Sequence, residues 1–333
     1  MPDRSALSSA FLTKAGWGQA SRAKLAGDAS FRKYERLNRN GEPAVLMDAP
    51  PPQEDVRPFL RVARELLRHG YSAPRILAED TEHGFLLLED LGDDLYARLL
   101  ARGADEHELY GAAIDFLLDL HRHPAPAELG LYDEARLIDE VQLFTDWYLP
   151  ALRGRETEPS LRDEFNAFWH ELAPAVAQPP RVLVMRDFHA ENLIWLPQRQ
   201  GPARVGLLDF QDAVAGHRAY DLVSLLEDAR RDVSPALAEA MIRRYLAGSG
   251  LDEQDFRRAY AILGAQRNLR IVGVFTRLWK RDGKPHYQAF MPRMWGLVER
   301  DLQHPDLHRL RAWIDRIVPA DLRRRPLPGL SAA

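Results

Sequence analysis

Short apolar runs separated by turn residues dominate the first part of the chain. Asn38-Arg-Asn-Gly41 between two such runs is a strong β-hairpin signal. Apolar residues at spacings of three and four are typical of a helix and predict one over residues 54–69, after a shorter helix over residues 5–16. The runs predict five strands, over residues 21–26, 31–38, 43–48, 74–78 and 85–89.

After Gly92 the apolar spacing becomes helical, apart from one stretch over residues 182–210. The pattern predicts nine helices, over residues 94–102, 106–122, 133–153, 160–177, 218–229, 234–247, 253–280, 286–303 and 306–317. We therefore expect an α+β chain. It would consist of a small lobe built on an antiparallel sheet at residues 1–91 and a larger helical lobe at residues 92–333, with a hinge near residues 89–92.

The stretch that interrupts the helices carries the candidate chemistry. It begins with an apolar run from Val182, continues into a polar loop that holds Asp187 and Asn192, and ends with a second apolar run before Asp209. We expect the two runs to be neighbouring strands. The order Asp, four residues, Asn and a later Asp-Phe is the pattern of a kinase catalytic loop. In phosphoryl transfer one carboxylate orients and deprotonates a hydroxyl, while an amide and a second carboxylate hold Mg²⁺.

This pattern assigns a role to each residue. Asp187 is the candidate base, and Asn192 and Asp209 offer the hard oxygen ligands that magnesium prefers. A solvated loop acid, a turn residue and a strand-end acid are the respective alternatives, which the joint spacing disfavours. His189 is interpreted as a structural residue that forms hydrogen bonds. With Asp187 it leaves a metal hydrolase as a rival class, although no HExxH spacing supports that class.

Length and composition narrow the class of protein. The chain has 333 residues, which favours two lobes over one core. Its net charge of −4 gives no reason to expect nucleic acid as a partner, and the absence of cysteine removes disulfides and thiolate ligands. No apolar run approaches the roughly 20 residues that span a bilayer, and the N-terminus does not resemble a signal peptide. We expect a cytoplasmic monomer that binds no membrane.

Two segments resemble the signatures of the aminoglycoside phosphotransferase family of kinases. The segment at residues 185–192, Met-Arg-Asp-Phe-His-Ala-Glu-Asn, is similar to the family motif His-Gly-Asp-x-His-x-x-Asn. The segment at residues 208–222, which contains Asp-Phe-Gln-Asp and Ala-Tyr-Asp-Leu, is similar to the second motif. Leu117–His121 matches the Leu-His end of a family helix. The resemblance covers nearly the whole chain and implies a protein-kinase-like fold, ATP and Mg²⁺.

Other segments resemble one branch of this family, which phosphorylates N-acetylmuramate and N-acetylglucosamine in bacterial cell-wall recycling. They are the segments at residues 27–34, 45–51, 86–93, 222–232 and 268–275. The resemblance implies ATP-dependent phosphorylation of the anomeric hydroxyl, and the product would be a sugar 1-phosphate for UDP-sugar synthesis. Two alternatives stay open: a kinase of the same fold for an aminoglycoside, a choline-like amine or another small alcohol, and a nucleotide-binding module without catalysis.

The nucleotide site departs from the family pattern. The third strand usually carries a lysine that grips the phosphates, but here it reads Ala44-Val-Leu-Met-Asp48. Arg32 and Lys33 are the first candidates to replace it, and a role as solvated strand residues is an equally good interpretation of both. Ser30 with the amide of Phe31 would cap the phosphates. In this fold the hinge binds adenine through backbone groups, which the resemblance places at Glu89 and Leu91. The bracing acid that usually pairs with the lysine would be Glu54 or Glu65, a doubtful role without that lysine.

The candidate sugar contacts lie in the helical part and beside the catalytic segment. Trp147 offers an aromatic face, and Arg186, Arg218 and Arg270 are candidates for the carboxylate of N-acetylmuramate. Core or surface roles remain the alternatives for the helical residues. The acids expected to bind sugar hydroxyls are Glu140, Glu191 and Asp212.

Overall fold

The computed structural model describes residues 3–25 and 31–329. These residues form two compact units. The first unit contains residues up to 116 together with residues 190–213, and the second contains residues 117–189 and 214 onward. The predicted α+β class is confirmed, because one unit is built on a five-stranded antiparallel sheet and helices dominate the other. The predicted lobe boundary after residue 91 stays a prediction.

The sheet of the first unit has the strand order β1-β2-β3-β5-β4. Its strands are β1 (Ser21–Lys24), β2 (Lys33–Arg39), β3 (Glu42–Asp48), β4 (Ile76–Asp80) and β5 (Phe85–Glu89). All neighbours in the sheet are antiparallel. The predicted hairpin joins β2 to β3 through Asn40 and Gly41, whose φ angles are 54° and 93°. Two consecutive positive φ angles suit the right-handed twist of the flanking strands, which is why Asn-Gly is favoured there.

The two faces of this sheet have different roles. Helix α1 (Arg4–Lys14) covers one face, where Phe11 and Leu12 pack against Ala44, Leu46 and the strands beside them. Successive side chains of a strand point to opposite faces, so Val45 and Met47 belong to the other face. That second face carries the cavity described below.

Helices make up most of the second unit. Its helices are α5 (Glu134–Val141), α6 (Leu149–Arg153), α7 (Pro159–Leu172), α8 (Ala219–Leu226), α9 (Pro235–Ser249), α10 (Glu253–Lys280), α11 (Met291–Asp301), α12 (His308–Ile317) and α13 (Ala320–Arg323). The helices α2 (Arg57–Arg68) and α3 (Tyr96–Ala101) and most of α4 (Glu106–Leu120) belong to the first unit. The long helix α10 is the centre of this unit and packs against α5, α8 and α11. None of the helices in the described ranges is long and apolar enough to cross a membrane.

The helix predicted over residues 133–153 is not continuous. A π-helical turn, Phe144–Tyr148, separates α5 from α6. Pro150 accounts for the break, because a proline has no N–H to donate to the carbonyl four residues earlier and its ring displaces that carbonyl. The helix predicted over residues 286–303 is also divided, into a 3₁₀ turn, Pro285–Phe290, followed by α11.

The stretch over residues 182–216 contains two strands more than predicted. Its strands are β6 (Val182–Val184), β7 (Leu193–Trp195), β8 (Val205–Leu207) and β9 (Val214–Gly216). The expectation that the two apolar runs are neighbouring strands is wrong, because β6 pairs with β9 and β8 pairs with β7. Strands of three residues are too short to show a period, so the sequence pattern does not reveal these partners.

Gly273 allows the π-helical turn to pack directly on α10. A Cβ atom at Gly273 would lie 2.3 Å from the carbonyl carbon and oxygen of Leu143. We expect Gly273→Ala to force the two backbones apart and to lower the free energy of unfolding by about 1–3 kcal/mol. Urea unfolding followed by tryptophan fluorescence measures this change.

Gly296 in α11 provides the matched control. Nothing lies within 4 Å of a Cβ atom built at Gly296. Gly296→Ala should therefore be neutral or stabilise the protein by up to about 1 kcal/mol, since alanine favours a helix. Equal destabilisation by both substitutions would contradict the role assigned to Gly273.

Candidate active site

A cavity of about 340 Å³ lies on the sheet face opposite α1. Its walls are mainly apolar, with Val45 and Leu88 from the sheet and Ile194 from β7. Glu89 and Leu91, at the end of β5, line its edge. The Glu89 carboxylate accepts hydrogen bonds from the Arg75 N–H at 3.2 Å and from Arg199 at 2.8 Å. These contacts occupy the side chain of Glu89.

The two candidate metal ligands line the same cavity. Asn192 precedes β7 and Asp209 follows β8, and the Leu208 N–H donates to the Asn192 carbonyl at 2.9 Å. The antiparallel pairing of β7 with β8 thus brings Asn192 and Asp209 to one end of a hairpin. Asp209 has a φ of 54° and accepts a hydrogen bond from the Gln211 side chain at 2.8 Å.

This donor set is suited to magnesium. Both side chains offer hard oxygen atoms, and Mg²⁺ normally completes its shell with water and nucleotide phosphates. Among residues 3–25 and 31–329, no group of three or more His, Cys, Asp or Glu side chains could hold a metal ion. The residues present fit a magnesium ion that arrives with a nucleotide.

The two candidate replacements for the strand lysine have different surroundings. The Arg32 Nε donates to a Glu54 oxygen at 3.0 Å, and its terminal nitrogen lies 3.4 Å from the Asp209 carboxylate. Lys33 is exposed and faces Asp48 across the strand pair, on the side of the sheet away from Tyr34. The structure thus brings Arg32, and not Lys33, to a candidate metal ligand.

The other residues predicted near Arg32 lie only partly within the ranges that the structure describes. Ser30 lies outside them. Phe31 is exposed, and its N–H donates to Glu54 at 3.2 Å. Glu65 pairs with Arg68 and His69 on α2.

In the second unit, Asp187 lies in a loop directly after β6. It is half-buried, and its N–H donates to the Met185 carbonyl at 2.8 Å. His189 donates its N–H to the Asp187 carbonyl at 3.1 Å. The His189 ring is buried, and its Nε2 lies 3.4 Å from Arg230. These contacts agree with a structural role for His189.

A buried carboxylate braces this loop. Asp221 in α8 is fully buried and accepts the N–H groups of Met185 and Arg186 at 2.8 Å and 2.9 Å. Ser224, one helical turn later, donates to the Arg186 carbonyl at 2.9 Å. Burial raises the pKa of Asp221 to about 7, although the two N–H groups oppose the rise. Arg186 has a φ of 70°, which costs a non-glycine residue free energy and persists only where surrounding contacts impose it.

Three arginines surround one carboxylate beside Asp187. The Glu140 carboxylate forms ion pairs with Arg186 at 2.6 Å, Arg136 at 3.1 Å and Arg270 at 3.1 Å. We call these four residues the arginine cluster. Burial alone would raise the pKa of Glu140, but Arg270 and Arg186 hold it below its ordinary value. Glu140 is therefore a counter-ion within this site. Three guanidinium groups and one carboxylate leave a surplus of positive charge.

The other sugar candidates do not join the cluster. Arg218 precedes α8 and lies beside Tyr245 and His121. Trp147 is half-buried within the π-helical turn. Glu191 and Asp212 are exposed.

Sequence reasoning missed two members of this site. Arg136 lies one helical turn before Glu140, a spacing at which a side-chain ion pair could have been expected. The Tyr132 hydroxyl also lies 3.1 Å from Glu140, and no sequence signal marks it.

Comparison with known proteins identifies the family to which this chain is similar. A model described as the phosphotransferase enzyme family matches residues 22–262. An N-acetylmuramate/N-acetylglucosamine kinase of Caulobacter vibrioides is 42% identical and covers 97% of this chain and 99% of its own. A protein of the same name from Pseudomonas aeruginosa is 39% identical over 89% of each chain.

Solved structures share the fold at low identity. A choline/ethanolamine kinase family protein from Mesorhizobium loti has a TM-score of 0.63 at 17% identity, covering 94% of this chain and 99% of its own. An ADP-bound aminoglycoside phosphotransferase has a TM-score of 0.60 at 14% identity, covering 89% of this chain and 97% of its own.

The chain belongs to the phosphotransferase enzyme family. The family resemblance carried by the two motifs is confirmed, and so is the kinase-like fold.

The buried His121 generates a pH-dependent prediction. It lies 2.7 Å from the Tyr245 hydroxyl, and burial, aided by Arg218 and His217, lowers its pKa to about 3. The unfolded chain therefore binds a proton that the folded chain does not, between pH 6.5 and 3. We expect stability to fall as the pH falls through this window, by up to about 1.4 kcal/mol per pH unit from this residue.

Urea unfolding at pH 7, 6 and 5 checks this expectation. His121→Phe should have a shallower dependence on pH than the unmodified protein. His107 is exposed, so His107→Gln should leave the dependence unchanged. Parallel curves for the His121→Phe variant and the unmodified protein would contradict the assignment.

Proposed function

We propose that this protein transfers the γ-phosphoryl group of ATP to the anomeric hydroxyl of N-acetylmuramate and N-acetylglucosamine. The product is a sugar 1-phosphate, which supplies UDP-sugar synthesis in peptidoglycan recycling. The names of relatives at 35–42% identity support an amino-sugar substrate. The arginine cluster supports N-acetylmuramate as a substrate, because its surplus positive charge beside Asp187 suits a substrate with a carboxylate.

Asp187 acts on the sugar hydroxyl. Its carboxylate orients the hydroxyl and takes the proton as the sugar oxygen bonds to the γ-phosphorus. The bond from the γ-phosphorus to the bridging oxygen breaks, and ADP leaves with that electron pair. The hydrogen bonds of the Asp187 backbone to Met185 and His189 hold this residue for the reaction.

Asn192 and Asp209 would hold Mg²⁺, which would offset the negative charge of the nucleotide phosphates. The apolar cavity beside them binds adenine, with backbone groups of Glu89 and Leu91 as its hydrogen-bonding partners. The ADP-bound neighbour of the same fold supports a nucleotide in this family. Arg32 binds the phosphates.

The sugar contacts follow from the chemistry of the remaining candidates. Arg186 and Arg270 bind the carboxylate of N-acetylmuramate, and Trp147 offers a face to the sugar ring. Glu191 and Asp212 bind sugar hydroxyls. The roles suggested for Arg218, Lys33, Ser30 and Phe31 stay predictions.

The surplus charge disfavours the alternative substrates. Aminoglycosides and choline-like amines are cations, and three guanidinium groups around one carboxylate would repel them. The kinases of choline and aminoglycosides among the solved structures share the fold alone with this chain. A module without catalysis would not need to retain Asp187, Asn192 and Asp209 together.

Phosphorus NMR of the protein with ATP, Mg²⁺ and each amino sugar tests the proposed reaction. We expect the resonance of a sugar 1-phosphate with both sugars. Asp187→Asn should lower kcat by at least about 100-fold, because it removes the base while retaining the size of the side chain. A sugar 6-phosphate, or no product with either sugar, would contradict the proposal. Near-normal turnover by the variant would contradict the role of Asp187.

Arg270→Gln should affect kcat/KM for the two sugars differently. Loss of a charged hydrogen bond costs about 1.5–3 kcal/mol, so kcat/KM for N-acetylmuramate should fall about 10–100-fold relative to N-acetylglucosamine. Glu140 keeps Arg136 and Arg186 as partners in this variant. Arg258 lies in the same helix and pairs with Asp306 at the surface. Arg258→Gln should therefore leave kcat/KM unchanged for both sugars. An equal loss with both sugars would assign Arg270 a structural role.

A further inference from the structure

The third strand of the sheet offers no cation to the cavity. Kinases carry the lysine that binds nucleotide phosphates on this strand. In β3, Val45 lines the cavity, and Met47 lies two residues further on the same face. Met47 is buried and apolar. The positive charge for the phosphates must therefore come from another element.

Arg32, directly before the neighbouring strand β2, offers such a cation. Tyr34 in β2 faces Met47 across the strand pair and lines the cavity. Arg32 precedes Tyr34 by two residues and contacts Asp209, which lines the same cavity, at 3.4 Å. A metal ion held by Asp209 would be bound together with the nucleotide phosphates, so a guanidinium beside Asp209 would lie near the same anions.

Glu54 holds this arginine through two separate contacts. One carboxylate oxygen accepts the Arg32 Nε at 3.0 Å, and the other accepts the N–H of Phe31 at 3.2 Å. Glu54 is itself held by its N–H, which donates to the Pro50 carbonyl at 3.0 Å. The side chains of Arg32 and Glu54 are only 14% and 12% exposed. Both the backbone beside Arg32 and its guanidinium are thus fixed by one carboxylate.

We propose that Glu54 is a positioning residue that holds Arg32 for the nucleotide phosphates, in place of the absent strand lysine. The inference rests on the proposed use of ATP. An unrestrained arginine loses rotamer entropy when it binds an anion, whereas an arginine already held by Glu54 loses less. Glu54 precedes α2 and binds the Nε of Arg32, while one terminal nitrogen of Arg32 contacts Asp209, which lines the cavity.

Calorimetric titration with ADP and with adenosine in the presence of Mg²⁺ tests this role without any sugar or turnover. Glu54→Gln retains the size of the side chain and removes its charge. We expect it to raise the Kd of ADP about 5–10-fold and to leave the Kd of adenosine unchanged, because adenosine has no phosphate. Arg32→Gln should raise the Kd of ADP about 10–100-fold, the loss expected for a charged hydrogen bond.

The double variant shows whether Glu54 acts through Arg32. If it does, Glu54→Gln should cause no further loss of ADP affinity in the Arg32→Gln protein. Glu35 provides the control, because it is a strand neighbour on the opposite face and pairs with Arg22. Glu35→Gln should leave both dissociation constants unchanged.

Three results would overturn the inference. They are additive losses in the double variant, an equal effect of Glu54→Gln on ADP and adenosine, and no effect of Glu54→Gln on ADP. If the unmodified protein bound no ADP, both this inference and the proposed use of ATP would fall. Failure of the sugar proposal alone would appear as normal ADP binding without a sugar 1-phosphate.

Discussion

The buried carboxylate of Asp221 is the constraint on which the catalytic segment depends. It binds two consecutive N–H groups, those of Met185 and Arg186, and thereby fixes the turn that leaves β6. This turn imposes a positive φ on Arg186 and directs its side chain to Glu140. Asp187 follows immediately. One carboxylate thus sets the positions of the candidate base and of Arg186 in the arginine cluster, so its loss would affect both.

The sheet could be predicted from the sequence because its signals are local. Asn40-Gly41 specifies the hairpin, and all five predicted strands occur within a few residues of their expected bounds. The π-helical turn was missed because apolar spacing alone was considered, although Pro150 marks the break. The pairing of β6 with β9 could not be derived, because strands of three residues carry no period and their partners are distant in the chain.

The site was predictable where residue type and spacing specify the chemistry. Asp187, Asn192 and Asp209 could be named in this way, and the structure adds the hairpin that brings Asn192 and Asp209 together. Arg32 and Lys33 could not be distinguished from the sequence. Neighbours in a strand point to opposite faces, so the distinction depends on which face carries the cavity. The pairing of Glu140 with Arg186 and Arg270 could not be derived from the sequence, because these two partners are distant from Glu140 in the chain.

The positive charges around Glu140 and beside Asp209 are guanidinium groups. No lysine occurs between Lys33 and Lys280. An arginine stays protonated throughout the physiological pH range, so a rise in pH would not remove the positive charge of Arg32 or of the arginine cluster. Lysine acetylation, which would neutralise the strand lysine of an ordinary kinase, has no target in this part of the chain. The use of an arginine in place of the strand lysine would therefore also remove a point of covalent control.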